Sequence, residues 1–167
     1  MSFSLRLALE SGLRAGRIFN ISASACTRLD ANTSLTARAL AQRARVACWE
    51  GDAASLGALR QAVNRSGLSG RIVATQRDLA RQPLSAKELA GFAAIVLDPP
   101  HAGAAAQIAQ IAAAGVPRVV YVGCNPATLG RDAKLLRGAG YALAAATAID
   151  QFLWSARLES VCVFRRA

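Results

Sequence analysis

Short apolar runs of four to eight residues, each broken by Arg, Asp, Gly or Pro, recur from Arg45 to the end of the chain. Runs of that length bounded by turn residues suit buried strands, whereas apolar residues three and four apart suit helices that pack one face. "RVACW" therefore predicts a strand ending on Glu50, "DAASLGALRQAVNRSG" a helix stopping at glycine, and "RIVATQ" a second strand ending near Asp78. "FAAIVLD" predicts a strand running into Pro99 and Pro100, "AGAAAQIAQIAAAG" a helix, and "PRVVYVG" a strand that delivers Cys124. A helix from about Ala127 to Arg137 follows. "YALAAATAID" and "ESVCVFRR" close the chain as two strands separated by "QFLWSARL", with no helix between them, and are expected to pair antiparallel. Upstream, "GRIFNIS" reads as a strand and "TARALAQRA" as a helix, flanking the polar, glycine-free "SASACTRLDANTS".

Apolar strands alternating with helices predict an α/β fold whose sheet is mostly parallel and covered on both faces. Ligands of such sheets bind beyond the carboxyl ends of the strands. Glu50, Asp78, Asp98 and Cys124 each follow an apolar strand, so the topology gathers them along one rim. Two readings stand: a site, or acids that each cap the next helix. Cys124 poses the same choice, because it lies where a strand gives way to an Asn-Pro turn. Cys48 and Cys162 sit inside strands, where an inert buried thiol is the default.

The 167 residues fall within the usual size of one domain, and 53% hydrophobic residues suffice for a core. No apolar stretch nears the roughly 18 residues of a membrane span. Arg6, Glu10 and Arg14 interrupt the N-terminal apolar stretch, which reads as an amphipathic helix rather than a secretory signal. The four cysteines form no CxxC pair, so no metal site is expected, and reduced thiols in a cytoplasmic setting are. The net charge is +10, and arginine, whose planar fork suits phosphate, dominates the basic residues. It is spread along the chain: residues 1 to 70 carry nine basic and four acidic residues (+5), residues 71 to 167 eleven and six (+5). An anionic partner and a plain Ala- and Arg-rich compositional bias fit this equally well.

Taken together, "VLDPPHAGA", "VVYVGCNPATLGRD" and "IDQFLWSARLESVCVF" resemble the C-terminal catalytic domain of the RNA 5-methyluridine methyltransferases, particularly the ribosomal RNA branch. The similarity covers roughly Arg45 to Arg166. It implies a Rossmann-like fold dependent on S-adenosylmethionine, with an antiparallel last strand, and RNA as partner. By resemblance Cys124 is the nucleophile that adds to carbon 6 of uracil, a position that suits a thiolate. Glu159 matches the base that removes the proton from carbon 5. Glu50 resembles the acid that binds the cofactor's ribose hydroxyls, Asp78 the residue beside the adenine, and Asp98 the position between cofactor and target base. Arg131 and Asp132 read as helix capping and packing.

The chain departs from that family in several places. The family's first strand ends in a glycine-containing loop, whereas Asn20 to Ser34 hold no glycine. An aromatic, Gln-containing segment is not recognisable in residues 1 to 19, and no RNA-binding β-barrel or cluster-binding cysteines are found. His101 stands in place of the usual Arg, Gly123 of Ser, and Arg157 of His. Since the match begins near Thr36 and Arg45, the first 35 residues are expected to derive from a shifted reading frame or a decayed gene. The alternative function is accordingly a truncated, inactive copy that retains at most weak RNA binding.

Overall fold

The computed structural model describes residues 17–22 through their backbone, and residues 37–38, 40–150, 154 and 158–166. The predicted N-terminal amphipathic helix, the glycine-free loop from residue 23 onward, Cys26 and most of "QFLWSARL" lie outside the described residues.

Seven strands form one sheet: β1 (Arg17–Ser22), β2 (Arg45–Glu50), β3 (Ile72–Gln76), β4 (Ala94–Asp98), β5 (Arg118–Gly123), β6 (Tyr141–Ile149) and β7 (Glu159–Arg166). Their order is β3-β2-β1-β4-β5-β7-β6. The first five run parallel, and β7 is antiparallel to both β5 and β6. This is the α/β arrangement the alternating pattern predicts, including the antiparallel closing pair. "GRIFNIS" takes its place as β1 at the centre, where the strand order reverses between β1 and β4. Four helices connect the strands: α1 (Ala53–Arg65), α2 (Ala86–Leu89), α3 (Ala105–Ala114) and α4 (Pro126–Gly138). Ala37, Arg38, Leu40 and Ala41 of "TARALAQRA" are also helical.

Alternation along the strands fills both faces, because successive side chains point to opposite sides of a sheet. On one face Val46, Cys48, Val96, Val120 and Val161 pack with Leu59 and Val63 of α1 and with Leu40. On the other, Ile95, Leu97, Tyr121 and Phe164 pack with Ile108 and Ile111 of α3 and Leu136 of α4. Cys48 and Cys162 are buried in these two layers, as expected of inert thiols. Burial pushes the Cys162 thiol's pKa up, which keeps it protonated.

Three of these four helices start at a side-chain cap. Asp52 Oδ2 accepts from Ser55 N at 2.7 Å to cap α1, and Asn125 accepts from Ala127 N at 3.0 Å ahead of Pro126 to cap α4. The four-residue α2 escapes periodicity analysis, which needs more than one turn. Its signal is the capping box of Ser85 and Glu88, whose side chains each bond the other residue's backbone N–H. Helix α3 ends at Gly115, whose φ of 66° is a left-handed cap that favours glycine.

Candidate active site

Backbone register brings the rim residues together. Ser22 at the end of β1 pairs with Glu50 on one side and Asp98 on the other. Gly123 pairs with Ser160, so the next residue outward on each strand sets Cys124 beside Glu159 at the same rim. Four of the five residues singled out in the sequence thus occupy adjacent strand ends at the point where strand order reverses, the place where such sheets bind ligands.

The fifth, Asp78, lies at the same rim two residues beyond the end of β3. Its carboxylate is about half exposed and Oδ1 accepts from Ala80 N at 3.0 Å and Arg81 N at 3.2 Å, with Arg81 Nε 3.8 Å away. That is a turn cap in its own right, which the helix-capping reading anticipates for this acid. Glu50 and Asp98 behave otherwise, since the N-cap of α1 is Asp52. Glu50 is 2% exposed and accepts from Asp52 N through Oε1 at 2.9 Å. A Cβ on Gly51 would meet Asp78 Cα at 3.5 Å, so the segments carrying Glu50 and Asp78 run in contact.

Two neighbouring carboxylates oppose the ionisation of Asp98. Poor solvation, then the nearby charges of Glu159 and Glu50, push the Asp98 pKa up from 3.8 to about 7. Burial also raises Glu159 above its ordinary value. A cationic ligand at this rim relieves that repulsion, so acceptor-only carboxylates at the ends of β2 and β4 fit a molecule carrying ribose hydroxyls and a positive centre. S-adenosylmethionine, with its sulfonium and ammonium groups, has that chemistry.

The same shift has a consequence for stability. Unfolded, Asp98 ionises near its ordinary 3.8; folded, it holds its proton to about 7. Stability therefore falls as the pH climbs between those values, by up to roughly 4 kcal/mol in total. Asp98→Asn removes the loss, so in urea titrations the variant unfolds at higher denaturant than the wild-type chain at pH 8, while the two converge near pH 4. Equal midpoints at pH 8 would contradict the shift.

Cys124 is half-buried between the end of β5 and the Asn125 cap of α4. A thiolate there meets the positive end of a 13-residue helix. Gly123 before it replaces the serine usual in the resembled family, and the structure gives a reason. A Cβ at Gly123 would lie 2.9 Å from Tyr121 Cε1, closer than real Cβ contacts, so the Tyr121 ring occupies the space a side chain would need.

Asp132 is the residue whose importance the sequence did not reveal. It is fully buried, not a helix cap, and accepts from Tyr121 OH at 2.8 Å, Ala104 N at 2.8 Å and Arg131 Nε at 2.9 Å. Arg131 Nη2 also donates to Ala102 O at 3.0 Å. Nearer the cysteine, Asn125 Nδ2 donates to His101 O at 3.1 Å and Thr128 Oγ1 to the same oxygen at 3.3 Å. These bonds stitch the Asp98-Pro-Pro loop to α4, and so fix Asp98 relative to Cys124. Gly103, with φ of 80°, is required in that loop, since a Cβ would lie 2.8 Å from Asp132 Oδ2. His101, standing for the family's arginine, also sets its Nδ1 3.3 Å from Asn125 Nδ2, which makes that ring nitrogen the acceptor.

Among the described residues no group of His, Cys, Asp and Glu has a metal-holding arrangement, and no helix is long and apolar enough to cross a membrane.

The strand order and its connections are those of a Rossmann-like methyltransferase fold. Over its full length the chain superposes on the B. subtilis tRNA methyltransferase TrmK with a TM-score of 0.70 at 18% identity, covering 67% of that chain. A Streptococcus pneumoniae protein solved in complex with S-adenosyl-L-methionine matches with a TM-score of 0.71 at 14% identity, again over 100% of this chain and over 73% of that one. At such identity these likenesses establish the fold. The family model for tRNA (uracil-5-)-methyltransferase matches residues 70–167, and the chain belongs to that family. An uncharacterized RNA methyltransferase of Rhizobium meliloti is 45% identical over 128 residues, 76% of this chain and 31% of that protein. The 23S rRNA (uracil(1939)-C(5))-methyltransferase RlmD of Pseudomonas fluorescens is 48% identical over 91 residues, 53% of this chain and 20% of that one. The chain thus spans under a third of the length of these relatives.

Proposed function

We propose that the chain carries the catalytic machinery for methylating carbon 5 of uridine in RNA, with ribosomal RNA favoured by the RlmD-like relative, in a cytoplasmic setting. The observation that carries the reading is that the strand register sets Cys124 beside Glu159 on neighbouring strands, next to the half-buried Asp98.

Glu50 and Asp98 would hold S-adenosylmethionine by its hydroxyls and positive charge, with Asp78 beside the adenine. When bound, that molecule supplies an electrophilic methyl group. The protein's own part begins at Cys124. Its thiolate adds to carbon 6 of uracil, the ring's electron pair moves toward the carbonyl oxygen, and carbon 5 becomes nucleophilic. After methylation, Glu159 takes the proton from carbon 5. The electrons of that bond restore the ring double bond, the bond between sulfur and carbon 6 breaks, and the thiolate returns.

RNA containing 5-fluorouridine tests this scheme, because fluorine cannot leave as the proton does. With S-adenosylmethionine the wild-type chain forms an adduct that survives a denaturing gel, and Cys124→Ala forms none. An adduct that persists in the variant assigns the wrong nucleophile. No adduct from the wild-type chain favours the inactive-copy reading.

A further inference from the structure

We infer that the amino edge of the sheet, opposite the catalytic rim, is a second RNA contact that grips the phosphate backbone. Arginines scattered through the sequence converge there. Arg17 and Arg45 open β1 and β2 and pair with each other in register. Arg71 immediately precedes β3 and its carbonyl accepts from Val46 N at 2.8 Å. Arg118 opens β5 directly opposite Arg165 of β7, and Arg166 faces Tyr141 of β6. With strands about 4.8 Å apart, the row extends about 24 Å from β3 to β7.

The acids segregate to the other side. Among the described residues Glu50, Asp52, Asp78, Asp98, Asp150 and Glu159 all lie at the carboxyl rim, within two residues of a strand end. Of the remaining two, Glu88 pairs with Arg77 just past β3, and Asp132 is fully buried. The sheet is thus polarised along its strands, which a count of charges along the sequence does not show.

Helix ends explain only part of the row. The three helices longer than one turn, α1, α3 and α4, end toward this edge, and each carboxyl end carries about half a negative charge, roughly −1.5 together. The row exceeds that several-fold. Facing like charges on paired strands are destabilising, yet Arg118 and Arg165 stand opposite each other. Arg118 Nε is buried without a hydrogen-bond partner among the described residues. Burial and then the facing Arg165 hold the Arg118 pKa below its ordinary value. An anion at Arg118 relieves the cost of its buried Nε, and a guanidinium fork matches phosphate in particular. The two edges are roughly 17 Å apart along a six-residue strand, so one folded RNA can reach both.

The choice of RNA over other polyanions rests on the function proposed above. The test is fluorescence anisotropy with an unmodified ribosomal RNA hairpin across a salt series. Arg45→Gln/Arg165→Gln, two exposed positions, is expected to weaken binding about tenfold and to lower the slope of log K against log salt by about 1.5. Arg60→Gln/Lys87→Gln makes the same charge change away from the edge and is expected to shift affinity less than about twofold. Circular dichroism confirms that both variants fold. Equal weakening by the two variants, no weakening, displacement by polyglutamate as effective as by RNA, or no binding by the wild-type chain each overturns the inference. Covalent trapping at Cys124 reads the rim alone, so an adduct with unchanged edge affinity sinks this inference and leaves the catalytic reading standing.

Discussion

Glu159→Gln is expected to convert the protein from one that turns over into one that stalls while joined to its RNA. The substitution keeps the shape and the buried position of the side chain, which is 6% exposed, but removes its capacity to accept a proton as a base. In the proposed scheme addition of Cys124 and methylation do not need that base, so they are expected to proceed. Loss of the carbon 5 proton does need it, and without it the bond between sulfur and carbon 6 persists. Ordinary uridine RNA then gives an adduct of the kind that the wild-type chain gives only with 5-fluorouridine, while released product falls by about 10²–10⁴-fold. A denaturing gel reads the first effect and methyl release the second. The pH profile supplies a further check. Burial raises the Glu159 pKa above its ordinary 4.5, and the reactive form is the carboxylate. Product formation therefore rises with pH through a midpoint above that value, and the variant loses this rise. Normal product release from Glu159→Gln would place the base elsewhere, with Asp98 the first residue to examine.

What was legible in the sequence was what local chemistry encodes. Strand and helix periods differ, so "RVACW" and "FAAIVLD" declared themselves as strands, and acids at their ends fell on the rim once the strands ran parallel. "CNPATLGRD" carried both the cap of α4 and the cysteine before it. Other features depend on register between distant segments, which no local pattern contains. The pairing of Gly123 with Ser160, which brings Glu159 to Cys124, spans 37 residues (160 − 123). The arginine edge arises because residues as far apart as Arg45 and Arg165 start or end strands at one level, although their spacing in the chain looks even. Asp78 matched the family motif, yet the structure also occupies its carboxylate in a local turn that "QRDLAR" already suggested. Asp132 was the hardest to read. In sequence it is one acid on a helix, and only folding reveals that its partners come from β5 and from the loop after β4.

Loss of those partners makes Asp132→Ala the substitution with the largest expected cost to the fold. The carboxylate is fully buried and accepts from a phenol, a backbone N–H and a guanidinium at 2.8 to 2.9 Å. Removing it strands the buried Tyr121 OH and the part-buried Ala104 N and frees the half-exposed Arg131 guanidinium. Stranding polar groups in this way costs about 1–3 kcal/mol for each group, a large share of a stability of roughly 5–15 kcal/mol for the whole domain. Urea denaturation at pH 7 is expected to show the drop, with a near-native slope if the chain stays two-state. Asp132→Asn separates packing from positioning. The amide keeps an acceptor oxygen at the Oδ2 position for both Tyr121 OH and Ala104 N and turns N–H donors toward Arg131 where Oδ1 accepted, so it is expected to fold more stably than the alanine variant while releasing Arg131 from its place against the Ala102 carbonyl. Activity is nonetheless expected to fall, because the loop carrying Asp98 is then held to α4 by fewer bonds and drifts relative to Cys124. Displacements of about 1 Å at a reacting centre cost on the order of 10²-fold. A folded Asp132→Asn protein with wild-type adduct formation would show that the bonds from Asn125 and Thr128 to the His101 carbonyl suffice to align the two motifs.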